Sequence, residues 1–170
     1  MNQKEFELIY AEAFLRWINK TYDYDYRAKL PEILESSNMP DIDVEGISAN
    51  GLDTLYLQFS QDRRSKNGKA YDGSFNPNQI GKVIEDKTFK YKGKDISKII
   101  LIIQGSATED TAERIIKSQS LSLKYQISEF RGIYYLSPPK SVMMGGIYYD
   151  EDWFVISIKV VSPVSSVFPS

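Results

Sequence analysis

Two acids separated by one residue, Asp41 and Asp43, follow Pro40, and a polar cluster, Gln58-Phe59-Ser60, ends an alternating apolar run further along. Carboxylate, amide and hydroxyl groups are hard oxygen donors, suited to Mg²⁺, Mn²⁺ or Ca²⁺. The rest of the composition leaves few rivals to that chemistry. None of the 170 residues is His or Cys. Catalysis by Ser-His-Asp or Cys-His groups within the chain is therefore excluded. So are thiolate redox chemistry, Fe–S clusters and the usual structural zinc sites. Asp, Glu, Lys, Tyr and Ser remain as chemical groups, and none has an ordinary pKa near neutrality.

The elements that must position these groups are read from periodicity. Phe6, Ile9, Tyr10, Ala13, Phe14, Trp17 and Ile18 recur at helical spacing and predict a helix over 4–20. Tyr22, Tyr24 and Tyr26 alternate with Asp23 and Asp25, which predicts an extended segment with three rings on one side. Pro31 starts a short helical turn to 36. Residues 41–60 read as a hairpin. Ile42, Val44 and Ile47 lie on one strand, Asn50-Gly51 forms the turn, and Leu55, Leu57 and Phe59 lie on the other strand. Gly46 marks a bulge. A polar loop leads to a helix over 77–91 with Ile80, Val83, Ile84 and Phe89 on its inner face. The apolar run Ile99 to Ile103 predicts a central strand covered on both faces. Ser106-Ala107-Thr108-Glu109 is a capping-box pattern opening another helix. Leu121, Leu123, Tyr125 and Ile127 alternate as in a strand, with a helical continuation as the alternative. Residues 133–136 form a strand, 142–149 and 153–161 a hairpin, and 163–170 a fraying tail. One domain over 1–162 is expected. Its class is α+β, with a mixed central sheet, about three flanking helices and added C-terminal antiparallel strands.

Pro40-Asp41-Ile42-Asp43 on one strand and Gln58-Phe59-Ser60 on the next resemble the PD-(D/E)XK superfamily of restriction-endonuclease-like nucleases. The predicted order of helix, three strands, helix and strand is similar to that of the superfamily over roughly the first hundred residues. The resemblance implies a Mg²⁺- or Mn²⁺-dependent site acting on DNA. Asp43 and Asp41 would be ligands, Glu5 or Glu12 on the first helix a further ligand, and Gln58 and Ser60 would occupy the remaining catalytic positions. The chain departs from the pattern at two of these. Gln58 replaces an acid, and Ser60 stands where the superfamily has Lys and supplies no positive charge. Arg63, Arg64 and Lys82 are the candidates for a displaced cation; without one, the site is expected to be silent.

Charge bears on the partner. The 21 Lys and Arg balance 23 Asp and Glu, leaving a net charge of −2, so no global attraction to nucleic acid is expected. A local basic surface is expected instead at Arg63, Arg64, Lys66, Lys69 and Lys82. The second functional reading is a non-enzymatic module, a homodimer or subunit bound to a protein partner through its Tyr-rich strands. Most of the 12 Tyr are expected at the edge of a sheet core, ring inward and hydroxyl outward. Met143-Met144-Gly145-Gly146 lacks the Lys-Ser/Thr of a phosphate loop and reads as a turn. No run of about 18 apolar residues occurs, so no membrane partner is expected. The N-terminus lacks a secretory pattern, and a cytoplasmic location is the expectation.

Overall fold

A strand with no polar side chain over five residues is stable only where both faces are covered. The computed structural model describes residues 3–31, 39–61, 79–105, 107–138 and 153–161, and in it that run is strand β4 (Ile99–Gln104). β4 lies inside a six-stranded sheet whose spatial order follows the chain: β1 (Arg27–Lys29), β2 (Val44–Ile47), β3 (Thr54–Gln61), β4, β5 (Gly132–Ser137) and β6 (Phe154–Lys159). β1, β2 and β3 form an antiparallel meander. β4 runs parallel to β3 and β5 parallel to β4, while β6 returns antiparallel. Parallel neighbours need crossovers, and helices provide them. Helix α2 (Ile80–Lys90) joins β3 to β4, and α3 (Glu109–Ser118) with the single turn α4 (Leu121–Lys124) joins β4 to β5. Helix α1 (Gln3–Tyr22) precedes the sheet. The chain is thus an α+β protein with a mixed sheet flanked by helices.

The side chains of β4 divide by parity. Ile99, Leu101 and Ile103 pack with Ile80 and Ile84 of α2 and with Ala112 and Ile116 of α3. Ile100 and Ile102 pack on the other face with Phe14, Leu15 and Ile18 of α1. Each layer therefore follows from one alternating set of an uninterrupted apolar strand.

Between β2 and β3 the turn uses Asn50 and Gly51. Gly51 has φ +72°, and the Asn50 carboxamide oxygen accepts the Leu52 N–H at 2.9 Å. Gly46 does not mark a bulge. It pairs in regular register with Ala28 and Leu55, and a Cβ there would stand 2.9 Å from Leu15 Cδ2. Its lack of a side chain is what lets α1 approach the sheet. The irregular register lies at Ile133/Tyr134, between β5 and β6.

Other local expectations are revised. Leu121, Leu123, Tyr125 and Ile127 do not form a strand. Ser120 adopts a left-handed conformation, φ 51°, and the chain then makes one helical turn. Leu121 and Tyr125, four apart, turn inward, while Leu123 and Ile127 are 80 % and 91 % exposed. Phe89 is 78 % exposed; five positions beyond Ile84, it sits about 140° around the helix from the inner face. The side chain of Thr108 caps α3 by accepting the Thr111 N–H at 3.2 Å. Ser106 lies outside the described residues, as do the turn over 32–36, the loop over 62–78, the strand expected at 142–149 with Met143–Gly146, and the tail. β6 pairs with β5.

Among the tyrosines, Tyr134 and Tyr135 are wholly buried rather than at the edge of the core. Their hydroxyl oxygens accept the backbone N–H of Val161 and Ala107, at 2.7 and 3.2 Å. The rings of Tyr22, Tyr24 and Tyr26 follow one another at 5.8 and 5.6 Å. Tyr22 still belongs to α1, and the left-handed Asp23 turns the chain out of the helix. Among the described residues, no helix is long and apolar enough to cross a membrane.

Candidate functional site

The antiparallel register pairs Val44 with Leu57. Asp43 comes just before β2, at the point where this register ends. There the ladder slips by one residue: the Asp43 N–H donates at 3.0 Å to the carbonyl of Leu57, which is already the partner of Val44. The Asp43 side chain extends it, Oδ2 accepting the Phe59 N–H at 2.7 Å. One carboxylate oxygen is thereby tied to the edge of β3.

Gln58 is 4 % exposed. Its Nε2 donates twice, to the backbone carbonyl of Asp41 at 2.9 Å and to the Tyr91 hydroxyl at 2.7 Å. Its Oε1 is buried with no hydrogen-bond partner. An unpaired buried acceptor costs on the order of 1–3 kcal/mol. As an amide oxygen it is a donor of the kind a hard divalent cation takes.

Helix α2 brings cations to this cleft. Lys87 and Lys90 each hold Nζ 5.6 Å from the centre of the Tyr91 ring. Burial pushes the Lys87 ammonium below the ordinary lysine range and the charge of Lys90 adds to this, while Asp43 opposes both. The Asp43 carboxyl is pushed above the ordinary carboxylate range, chiefly by burial. The Phe59 N–H and Lys87 act against that rise, and the charges of Glu7 and Asp41 add to it. Burial likewise raises the Tyr91 hydroxyl, so it is a neutral phenol at physiological pH.

The expected residues distribute unevenly. The carbonyl of the exposed Asp41 accepts from Gln58, and the Asp43 carboxylate accepts from the next residue of β3, Phe59. Ser60 is half-buried two positions beyond Gln58, on the same face of β3. Glu5 and Glu12 are exposed on α1, and the charge of the half-buried Glu7 on the same helix acts on Asp43. Lys82 is exposed and pairs with Asp86 at 3.2 Å, four residues on along α2. Arg63, Arg64, Lys66 and Lys69 lie outside the described residues.

Glu7, Lys87 and Tyr91 escaped the motif-based reading, but a signal for them exists. On α1 the series Glu7, Ala11, Phe14, Ile18 and on α2 the series Ile80, Ile84, Lys87, Tyr91 have the same 4-3-4 spacing. Each prolongs the buried stripe of its helix. A charge at a core-facing position is a stronger pointer to a site than a charge on the solvated face.

Among the described residues, no three His, Cys, Asp or Glu side chains form a group able to hold a metal. A Mg²⁺ site does not need three, because this ion keeps several waters and takes one or two carboxylates along with substrate phosphate. Arg131, a buried charge, is at the far end of β3, with Nη2 3.8 Å from Asp53 and Nη1 donating to the Thr54 carbonyl at 3.4 Å. Tyr26 also donates to Asp53, so this set ties β1 to β3 and β5. A groove of about 740 Å³ walled by Trp17 and Trp153 has none of Asp43, Gln58, Lys87 or Tyr91 in its lining, and no acid among its described lining residues.

Family models, curated proteins and solved structures yield no match to this chain.

Proposed function

We propose that the chain is a restriction-endonuclease-like domain that uses a divalent cation to act on the phosphodiester backbone of DNA. One observation carries this reading: Asp43, just before β2, binds through its carboxylate the backbone of Phe59, the neighbour of Gln58 with its unpaired Oε1, and the half-buried Lys87 of α2 acts on the Asp43 charge. The element order from α1 to β4, with β3 parallel to β4, is in keeping with the superfamily that the motif resembles.

The residues divide the work by chemistry. Asp43 and Gln58 would hold Mg²⁺ or Mn²⁺, which when bound supplies Lewis-acid stabilisation of charge on phosphate oxygens. Lys87 adds a positive charge that Ser60 cannot provide, so the cation comes from a helix rather than from the strand. Lys90, Lys92 and Lys94, all exposed, extend positive charge away from the cleft and suit contact with a phosphate backbone.

A plasmid-nicking assay in Mg²⁺ or Mn²⁺ tests the reading. Wild type is expected to nick. Asp43→Ala and Lys87→Ala are each expected to lose on the order of 10²-fold in rate, the scale of one lost electrostatic contact to the reacting group. Equal cleavage by wild type and Asp43→Ala removes Asp43 from the mechanism. A wild-type chain that does not cleave rejects the enzymatic reading.

A further inference from the structure

Ala13, Arg16, Trp17 and Lys20 recur at three- and four-residue spacing and so lie along one side of α1. The core takes a different stripe of that helix, Ala11, Phe14, Leu15 and Ile18. The side left over lines, together with Trp153 just before β6, the groove of about 740 Å³. That volume is within the range of ligand sites.

The lining joins two kinds of group. Trp17 and Trp153 are the only tryptophans of the chain, and both are half-buried. Each indole is held by neighbouring rings. Trp17 lies 5.6 Å from the Tyr134 ring and 6.1 Å from Phe14, and Trp153 meets Tyr10 edge-on at 5.3 Å. Rings fixed in this way offer stacking surface at little entropic cost. The charged groups are Arg16, half-buried, and Lys20, exposed. Asn19 is committed elsewhere, its carboxamide bonding the Tyr26 N–H and carbonyl at 2.9 and 3.0 Å. With two cations and no acid among the described lining residues, the electrostatic complement of the groove is an anion.

A row of rings continues from the groove. Tyr22 follows Trp17 at 6.1 Å and Tyr24 follows Tyr22 at 5.8 Å, and Tyr22 is 37 % exposed. Of the acids between these tyrosines, Asp23 is exposed and Asp25 accepts the Ala49 N–H at 3.2 Å. The exposed Arg27 and Lys29 of β1 come after them. One indole suits a single nucleotide, whereas a row of rings suits successive bases. Cations that track a backbone and rings that stack on bases are the two requirements of sequence-tolerant binding to single strands.

We infer that the groove between α1 and β6 binds single-stranded DNA, with bases stacked on Trp17, Trp153 and Tyr22 and phosphates paired with Arg16 and Lys20. That the strand is DNA rests on the reading above; the stacking and the charge pairing do not. The same helix carries Glu7, whose charge acts on Asp43. Ten positions, about 15 Å of helix rise, separate Glu7 from Trp17.

The test is titration in EDTA with an oligothymidylate of about 12 nucleotides, reading both tryptophan emission and the anisotropy of a labelled strand. Both tryptophans line the groove, so a base stacking there quenches emission. Wild type is expected to bind with quenching, and more tightly than it binds a duplex of equal length, whose bases are stacked inside. Poly-glutamate of similar length has the charge without the bases and is expected to leave emission unchanged. Lys20→Glu is expected to weaken strand binding about threefold or more and to flatten its salt dependence. Lys117→Glu, the same change of charge on an exposed position of α3 across the sheet, is expected to cost less. Trp153→Leu is expected to bind about tenfold more weakly, the scale of one lost base–aromatic stack. Circular dichroism checks folding, and the exposed Lys20 keeps the test decisive if Trp153→Leu does not fold. The inference is overturned by absent strand binding, by binding without quenching, or by equal affinity for duplex or poly-glutamate. Equal losses in the two charge variants, or undiminished affinity in folded Trp153→Leu, overturn it as well. EDTA removes divalent cations, so the result is separate from nicking. A chain that binds the strand but does not nick keeps the inference and loses the reading; one that nicks but does not bind the strand does the reverse.

Discussion

Asp43 is held in a place that disfavours its own charge. Burial, Glu7 and Asp41 all press its carboxyl toward the protonated form, against the Phe59 N–H and Lys87. A carboxyl whose pKa is higher in the folded than in the unfolded chain binds more protons when folded. Stability then falls as pH rises from the ordinary carboxylate range through the raised value. Ionised Asp43 is thus a local cost at neutral pH, the kind of cost a bound cation removes. Asp43→Asn keeps an oxygen acceptor for the Phe59 N–H and removes the charge. Its Tm at pH 7 is expected to exceed that of wild type by a few degrees. The gap should close as pH falls below the ordinary carboxylate range, where wild type is protonated in both states. Scanning calorimetry from pH 3 to 8 checks this; a variant less stable than wild type at pH 7 contradicts it. At this scale the sequence was partly legible. Asp43 and Gln58 stand out as a motif, but Tyr91 is one ring among many until its hydroxyl is seen against Gln58.

Helices α1 and α2 place their functional side chains by the same device. Their buried stripes run out at one end into a charged or polar residue, Glu7 on α1 and Lys87 with Tyr91 on α2. Glu12 and Lys82, the residues that the motif points to, are each five positions away, which is about 140° around a helix. A one-dimensional motif carries no such angle, whereas the apolar stripe does. Gly46 shows the complementary limit. A glycine inside a strand signals either a bulge or a close approach, and only the packing of Leu15 onto it decides for the approach. Gly46→Val is therefore expected to separate α1 from the meander and to cost about 1–3 kcal/mol by overpacking. For a chain of this size that is a loss of roughly 2–4 °C in Tm per kcal/mol. A thermal melt within a degree of wild type would show that Leu15 yields freely.

Across the whole molecule, β4 is the element on which both layers depend. Each of Ile99 to Ile103 is fully buried, and the two parities serve two separate clusters. Ile102→Ala is expected to cost about 2–5 kcal/mol, a large part of the roughly 5–15 kcal/mol that stabilises a typical domain. Leu123→Ser, on an exposed side chain, should stay within about 0.5 kcal/mol. Urea unfolding compares the two directly; similar midpoints would mean that β4 is not the centre of the fold.

From the chain alone came the ordering of helices and strands from α1 to β4, the hairpin at Asn50-Gly51 and the burial of residues 99–103. These follow from local period and turn chemistry, which act over a few residues and are written in neighbouring positions. Composition alone also excluded His- and Cys-based chemistry. Tertiary structure decided what local pattern leaves open. For 121–127 it decided between the two readings in favour of the helical turn, in which Leu121 and Tyr125 enter the core. It assigned 154–159 to the edge beside β5. It brought Glu7 and Lys87 within electrostatic reach of Asp43, because that reach depends on where two helices cross a sheet. It also left Gln58 Oε1 without a partner, which no spacing in the sequence could foretell.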